Sequence, residues 1–283
     1  MSTAIKDLKD FLARAGRFAV VEVVATRGST PRETGAAMLV SPAAIHGTIG
    51  GGQLEYMAID KARQMLRSAS AGQGQREERL DIPLGPEIGQ CCGGRVEVLI
   101  RLGDPVLAGE LVRKTEAGEE ALPHLYIFGG GHVGKAMAAA CALMPVHAVV
   151  VETRADELEG MAPGVATRLT PMPEEVVRAA PAGSAFAVLT HDHALDFLIV
   201  AEALKRDDAA YVGMIGSKTK KATFRSWFIK TAGGTEAEFS RLVSPIGGEA
   251  VKDKRPAVIA ALAAAEIMTV LALHAAPARQ AAH

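Results

Sequence analysis

Cysteine is scarce in this chain, three residues in 283, which excludes a scaffold stapled by disulfides. Two of the three, Cys91 and Cys92, are adjacent. They are poor structural partners for each other but suited to act as reactive thiols in a reducing cytosol. Neither charge sign is in excess, with Lys+Arg at 31 against Asp+Glu at 32, so electrostatics gives no case for a nucleic-acid partner or an anionic membrane. Residues 1–7 lack a basic n-region and an apolar h-region, so no signal peptide is expected and a cytoplasmic location is. There is no internal repeat and no low-complexity tract. One apolar run, residues 257–276, is as long as a membrane span, but it is alanine-rich and carries Glu266 and Thr269. A charge near the centre of a span is costly. The run is therefore expected to be a buried or interface helix, and its apolar surface suggests a homodimer.

The chain is 49% hydrophobic and 22% charged, which predicts a packed core, and its length predicts two domains. The polar string Thr115-Glu116-Ala117-Gly118-Glu119-Glu120 reads as an exposed connection between domains over residues 1–117 and 122–283. In the first, helical spacing over residues 5–12 is followed by apolar runs at 18–24 and 38–40. A helix with Leu54, Ala58, Ala62, Met65 and Leu66 on its buried stripe comes next. Residues 68–78 read as a loop, and the alternation of Val96, Val98 and Ile100 as a strand with one wet face. In the second, short apolar strands at 125–128, 148–151, 185–189 and 211–215 alternate with helical runs at 133–144 and 195–205. That rhythm implies an α/β domain, a Rossmann-type parallel sheet with helices on both faces, beside a smaller N-terminal α+β domain.

Between the first of those strands and its helix lie Gly129, Gly131 and Gly134, the spacing G-x-G-x-x-G, and the acidic Glu152 ends the next strand. In such turns the first glycine allows the tight bend, the second lets backbone approach a phosphate, and the third lets helix and strand pack closely. The helix N-terminus attracts the anion, and Glu152 can accept hydrogen bonds from a ribose or similar diol. Ligands of open parallel sheets sit at the carboxyl ends of the strands. This places His191, Asp192 and His193, and likewise Ser217 and Lys218, at the same rim, the plainer alternative being that Asp192 caps the following helix and the histidines hydrogen-bond locally. His-x-His with one Asp in one loop is an incomplete metal set.

In the first half, three loops stand out. Arg27 and Arg32 bracket Gly28-Ser29-Thr30-Pro31 and offer planar forks for a phosphate or carboxylate. Gly50, Gly51 and Gly52 enter a helix and can present N–H groups to an anion. Gln90-Cys91-Cys92-Gly93-Gly94 offers sulfur to a metal, or a sulfur atom to be carried. Cys141, inside the helix after the glycine turn, reads as a small apolar core residue.

Seven strings in order resemble the XdhC/CoxI family, accessory proteins of xanthine dehydrogenase and related molybdenum hydroxylases. They are Gly28-Ser29-Thr30-Pro31-Arg32, Gly47-Thr48-Ile49-Gly50-Gly51-Gly52-Gln53-Leu54-Glu55, Gln90-Cys91-Cys92-Gly93-Gly94, Phe128-Gly129-Gly130-Gly131-His132-Val133-Gly134, Thr190-His191-Asp192-His193, Gly213-Met214-Ile215-Gly216-Ser217-Lys218 and Ser244-Pro245-Ile246-Gly247. The resemblance implies a chaperone rather than an enzyme. It would bind the molybdenum cofactor, in its molybdopterin form, as cargo while a cysteine desulfurase replaces an oxo ligand by sulfido. It would then assist insertion into the molybdenum-binding subunit of xanthine dehydrogenase. On that reading the cofactor-binding residues are Cys91, Cys92, Arg32, Gly51, Gly52, Gly129, Gly131, Gly134, Glu152, His191, Asp192, Ser217 and Lys218, with Cys91 or Cys92 on molybdenum. Two other expectations stand beside it: an NAD(P)-dependent oxidoreductase using the same glycine turn, and an assembly subunit with a vestigial crevice.

Overall fold

A computed structural model describes residues 3–85 and 93–280. The chain divides into two compact units, Met1–Glu120 and Ala121–His283.

The first unit is built on a five-stranded antiparallel sheet with strand order β3-β2-β1-β5-β4. Its strands are β1 (Ala19–Arg27), β2 (Ala37–Val40), β3 (Ile45–Gly47), β4 (Glu77–Pro83) and β5 (Arg95–Leu102). Alternation decides the faces. Ala19, Val21 and Val23 of β1 and Val96, Val98 and Ile100 of β5 point to one side. There they bury against Leu54, Ala58, Ala62, Met65 and Leu66 of α2 (Gly52–Ser70). On the other side Val20 and Leu39 meet α1 (Thr3–Ala15) and α3 (Pro105–Glu120) through Leu8, Phe11 and Leu107.

Two expectations change here. The polar run 68–78 is not one loop: α2 extends to Ser70, and β4 starts at Glu77 and pairs along β5. Thr115–Glu120 is not a connection but the last turns of α3. Glu, Lys and Ala favour helix, and the polarity of the run is that of an exposed helix surface, with the Thr115 hydroxyl donating back to the Leu111 carbonyl (2.9 Å).

The second unit is a Rossmann-type α/β fold. Six parallel strands run in the order β11-β10-β9-β6-β7-β8. They are β6 (His124–Phe128), β7 (His147–Glu152), β8 (Ala166–Leu169), β9 (Ala185–Val188), β10 (Tyr211–Met214) and β11 (Leu242–Val243). Numbered from β6, that order is 6-5-4-1-2-3, the doubly wound arrangement, whose direction of winding reverses between β6 and β9. Helices α4 (His132–Cys141) and α9 (Pro256–Gln280) cover one face. Helices α5 (Pro173–Ala179), α6 (His193–Lys205) and α7 (Lys218–Lys230) cover the other, where Phe186, Val212 and Met214 pack on Ile199, Phe224 and Phe228. A short α8 (Glu236–Ser240) precedes β11.

Residues 256–274 of α9 are long and apolar enough to cross a membrane, yet Ala260, Ala263, Ile267 and Leu271 lie in the core beneath β6, β7 and β9. Its charge has a local use. Glu266 accepts a hydrogen bond from the Tyr211 hydroxyl on β10 and another from the Gly247 N–H (3.3 Å). Burial, reinforced by that carboxylate, pushes the Tyr211 pKa up, so the phenol remains a donor.

Candidate functional site

The glycine turn sits at the winding reversal. Gly129 has φ +110°, donates its N–H to the Val151 carbonyl (2.9 Å), and lies so close to the next loop that a Cβ there would be 2.6 Å from the Leu189 oxygen. A Cβ on Gly134 would fall well inside 3.0 Å of the Gly129 oxygen. Gly131 is different: a Cβ there would meet nothing within 4 Å. Two glycines are thus required by packing and one leaves an open face, the division of roles that a phosphate-cradling turn needs. Gly131 caps α4 without a side-chain acceptor, so the helix brings its leading N–H groups to that open side with no anion of its own.

Glu152, at the end of β7, is only 5% exposed. One carboxylate oxygen accepts from the Gly130 N–H (2.8 Å). The other accepts from the Thr153 N–H (2.8 Å), the Thr153 hydroxyl (3.2 Å) and the Arg154 N–H (3.2 Å). The Arg154 guanidinium lies 3.4 Å from the first oxygen. Burial pushes the Glu152 pKa up, but the hydrogen bonds from Gly130, Thr153 and Arg154 outweigh it and hold the carboxyl below its ordinary value. Glu152 is therefore an ionised acceptor directly beside the glycine turn.

In the neighbouring loops the structure shows the helix-capping alternative for Asp192. Asp192 is the N-cap of α6, accepting from Ala194 N–H (2.7 Å) and Leu195 N–H (3.4 Å), and His191 and His193 are exposed. Ser217 caps α7 through the Lys220 N–H (3.2 Å), and Lys218 reaches outward to Glu249 (2.9 Å). Among the described residues no group of three or more His, Cys, Asp or Glu is placed to hold a metal.

The charged groups that turn inward are two that the motif reading missed, Asp196 and Lys220. Asp196 is fully buried and accepts from the Thr190 N–H (3.1 Å) and the Thr190 hydroxyl (2.6 Å). Lys220 is 9% exposed and donates to Asp196 and to the Ile215 carbonyl (3.0 Å). A signal was available: Asp196 falls at i, with Ile199, Val200 and Ala203 at i+3, i+4 and i+7, a charge on the buried stripe of α6.

In the first unit the singled-out loops converge. A Cβ on Gly50 would be 2.7 Å from Pro31 and 3.4 Å from Arg32, and a Cβ on Gly94 would strike the backbone carbonyls of Ser29 and Arg27. Leu84 N–H donates to the Gly94 oxygen (2.8 Å) and Gly93 N–H to the Leu84 oxygen (3.0 Å), which closes the chain on either side of residues 86–92. Cys91 and Cys92 lie outside the described residues, while Cys141 is core, with burial pushing its thiol up to about 11.

The expectation that Gly51 and its neighbours present free N–H groups to an anion is corrected. The Glu55 carboxylate already accepts from the Gly51 N–H (3.0 Å), the Ile49 N–H (3.1 Å) and the Thr48 hydroxyl (2.6 Å), and the Thr48 hydroxyl oxygen accepts from the Gly50 N–H (3.1 Å). The chain fills this nest with its own first-turn acid, as the dipole of α2 favours. Arg32 is exposed beside Gly50, and Gly52 is the first residue of α2. A groove of about 560 Å³ between α1 and the β2–β3 turn, lined by Asp7, Phe11, Arg14 and His46, contains none of the residues singled out.

Comparison with known proteins gives one family across both units. A family model described as the XdhC Rossmann domain matches residues 125–267, and one described as the XdhC and CoxI family matches residues 11–77. The uncharacterized protein YqeB of Escherichia coli K12 is 27% identical over 268 residues, 89% of this chain and 43% of that protein, so the chain spans under half of that relative's length. A crystal structure described as a xanthine dehydrogenase from Bacillus halodurans superposes with a TM-score of 0.77 at 18% identity, covering 96% of each chain, and shows the same fold. With family models matching both halves in chain order, the chain belongs to the XdhC and CoxI family.

Proposed function

We propose that this chain is a non-catalytic carrier of the molybdenum cofactor, in its molybdopterin form, that holds it during sulfuration and helps insert it into xanthine dehydrogenase. The observation that carries the proposal is the convergence of three loops in the first unit. The backbone flanking Cys91-Cys92 is closed at Leu84 and Gly93 and packs against the Gly28–Arg32 loop, which itself packs against Gly50. Gly93 and Gly94, which follow the two cysteines in sequence, are thereby held against an arginine-containing turn. The cargo supplies a molybdenum centre that exchanges an oxo for a sulfido ligand, and a cysteine desulfurase supplies the sulfur. In the first unit Cys91 or Cys92 contacts the metal or the transferred sulfur and Arg32 meets an anionic group; taken by itself, the second unit offers the open side of Gly131 as a place suited to a phosphate. The partners on this reading are the molybdenum-binding subunit of the dehydrogenase, the desulfurase and a second copy of the chain. The test is metal and pterin analysis of the protein purified from a host that makes the cofactor. About one molybdenum and one pterin per chain are expected, falling in Cys91→Ala and Cys92→Ala. Wild-type protein that comigrates with neither ends the proposal.

One observation favours a second reading, an NAD(P)-dependent oxidoreductase. Glu152 stands at the end of the second strand of the doubly wound sheet, hydrogen-bonded to the glycine turn, the position from which an acid holds a ribose diol. Titration with NADH and NADPH, followed by nicotinamide fluorescence, decides it: no binding of either removes this alternative.

A further inference from the structure

The buried pair Asp196–Lys220 belongs to neither the glycine turn nor the thiol segment, and no packing need explains it. Desolvating two charges is expensive, and replacing such a pair by apolar side chains of similar size is often neutral or stabilising. Its surroundings on α6 and α7 are otherwise apolar, with Ile199, Val200, Phe224 and Phe228 all buried. What the pair does is join two loops. Asp196 holds Thr190, in the loop after β9, by both its N–H and its hydroxyl. Lys220 holds the Ile215 carbonyl, in the loop after β10, and its side chain lies where a Cβ on Gly216 would be, 2.6 Å from the lysine Cδ. The same Thr190 backbone abuts the glycine turn, since a Cβ on Gly129 would be 3.0 Å from the Thr190 Cα. A continuous chain of contacts runs from the turn through Thr190 and Asp196 to Lys220 and Gly216.

We infer that Lys220 and Asp196 are positioning residues of the ligand crevice: their ion pair fixes the Thr190 and Gly216 loops, the first of which packs against Gly129 of the glycine turn. This rests on the proposed use of that crevice for an anionic ligand. A binding site held by locked neighbouring side chains keeps its geometry without closing at each encounter. A simple packing role would need only volume, which apolar replacements supply.

The experiment compares full-length wild type with two variants. Asp196→Asn/Lys220→Met removes both charges and leaves neither unpaired, and Thr190→Val keeps the ion pair but detaches the hydroxyl. Each is read by thermal unfolding, by amide hydrogen exchange of residues 190–192 and 215–217, and by binding of molybdopterin-form cofactor released from xanthine dehydrogenase. The expected result for both variants is unfolding close to wild type, about tenfold faster exchange in the two loops, and at least about tenfold weaker cofactor binding. Wild-type exchange and affinity in a folded double variant would overturn the inference. If the double variant does not fold, Thr190→Val decides by the same two measurements. If wild type itself binds no cofactor, the proposed function fails separately, and unchanged loop exchange in the variants still refutes the bracing.

Discussion

Substituting alanine for Gly131 and for Gly134 should have opposite consequences three residues apart. At Gly131 the backbone is at φ −67°, ψ −170°, open to any residue, and a Cβ meets nothing within 4 Å. Exchanging glycine for alanine at an N-cap costs roughly 0.5–1 kcal/mol. The reduced freedom of the unfolded chain returns about 0.4–1 kcal/mol, so stability should be unchanged. At Gly134, inside α4, alanine gains about 1 kcal/mol in helix propensity. Its Cβ, however, collides with the Gly129 carbonyl, and Gly129 is held by Val151 and pressed against Leu189. Neither backbone has room to move, so an overpacking cost of about 3 kcal/mol applies. The net loss of about 2 kcal/mol corresponds to a drop of roughly 4–8 °C in the melting of a unit this size. The assay is built into the chain. Its single tryptophan, Trp227, lies on α7 against Phe197 and Phe224, so its fluorescence reports the second unit. Ligand binding should reverse the order. Gly131→Ala puts a methyl group on the open face and should weaken anion binding at the turn by about tenfold or more at wild-type melting temperature. Equal melting of the two variants, or a large drop for Gly131→Ala, would refute this account of the turn.

Glu266→Leu should lower the Trp227 transition by a loss of about 1–3 kcal/mol, because the buried Tyr211 hydroxyl and the Gly247 N–H lose their acceptor; melting at or above wild type would show that the charge serves no core role. Glu152 has a lowered pKa in the folded state. Its stabilisation is therefore present above the ordinary carboxylate value and is lost as pH falls through the lowered one. Glu152→Gln should accordingly flatten the acid limb of stability below about pH 4.5, and an acid limb identical to wild type would count against it. Cys141, buried with its thiol at about 11, should resist alkylation at pH 8 in the native protein and label only after unfolding, as peptide mapping will read.

Much of the fold was legible from the sequence because buried elements write their own pattern. The central strands β1, β5, β6, β7, β9 and β10 are apolar or alternate, and α2 carries its stripe at Leu54, Ala58, Ala62, Met65 and Leu66. The strands missed were β3, β4, β8 and β11, and every one lies at a sheet edge. An edge strand buries little and is blunted by charge. In β4 the outward residues pair across to β5, as Arg79 with Glu97 (2.7 Å) and Asp81 with Arg95 (2.6 Å), so the segment reads as a polar loop.

The sequence by itself determined the glycine turn, the acid that follows it and the family, because spacing along the chain is what those signals consist of. Tertiary structure alone decided which N–H groups stay available. It showed that Glu55 occupies the Gly51 nest, that Asp192 and Ser217 are committed to helix starts, and that Lys218 turns outward while Lys220 turns in. Hydrogen-bond partners come from residues distant in sequence or from the next helical turn, and a motif records only the residue types, not which donor already has its acceptor.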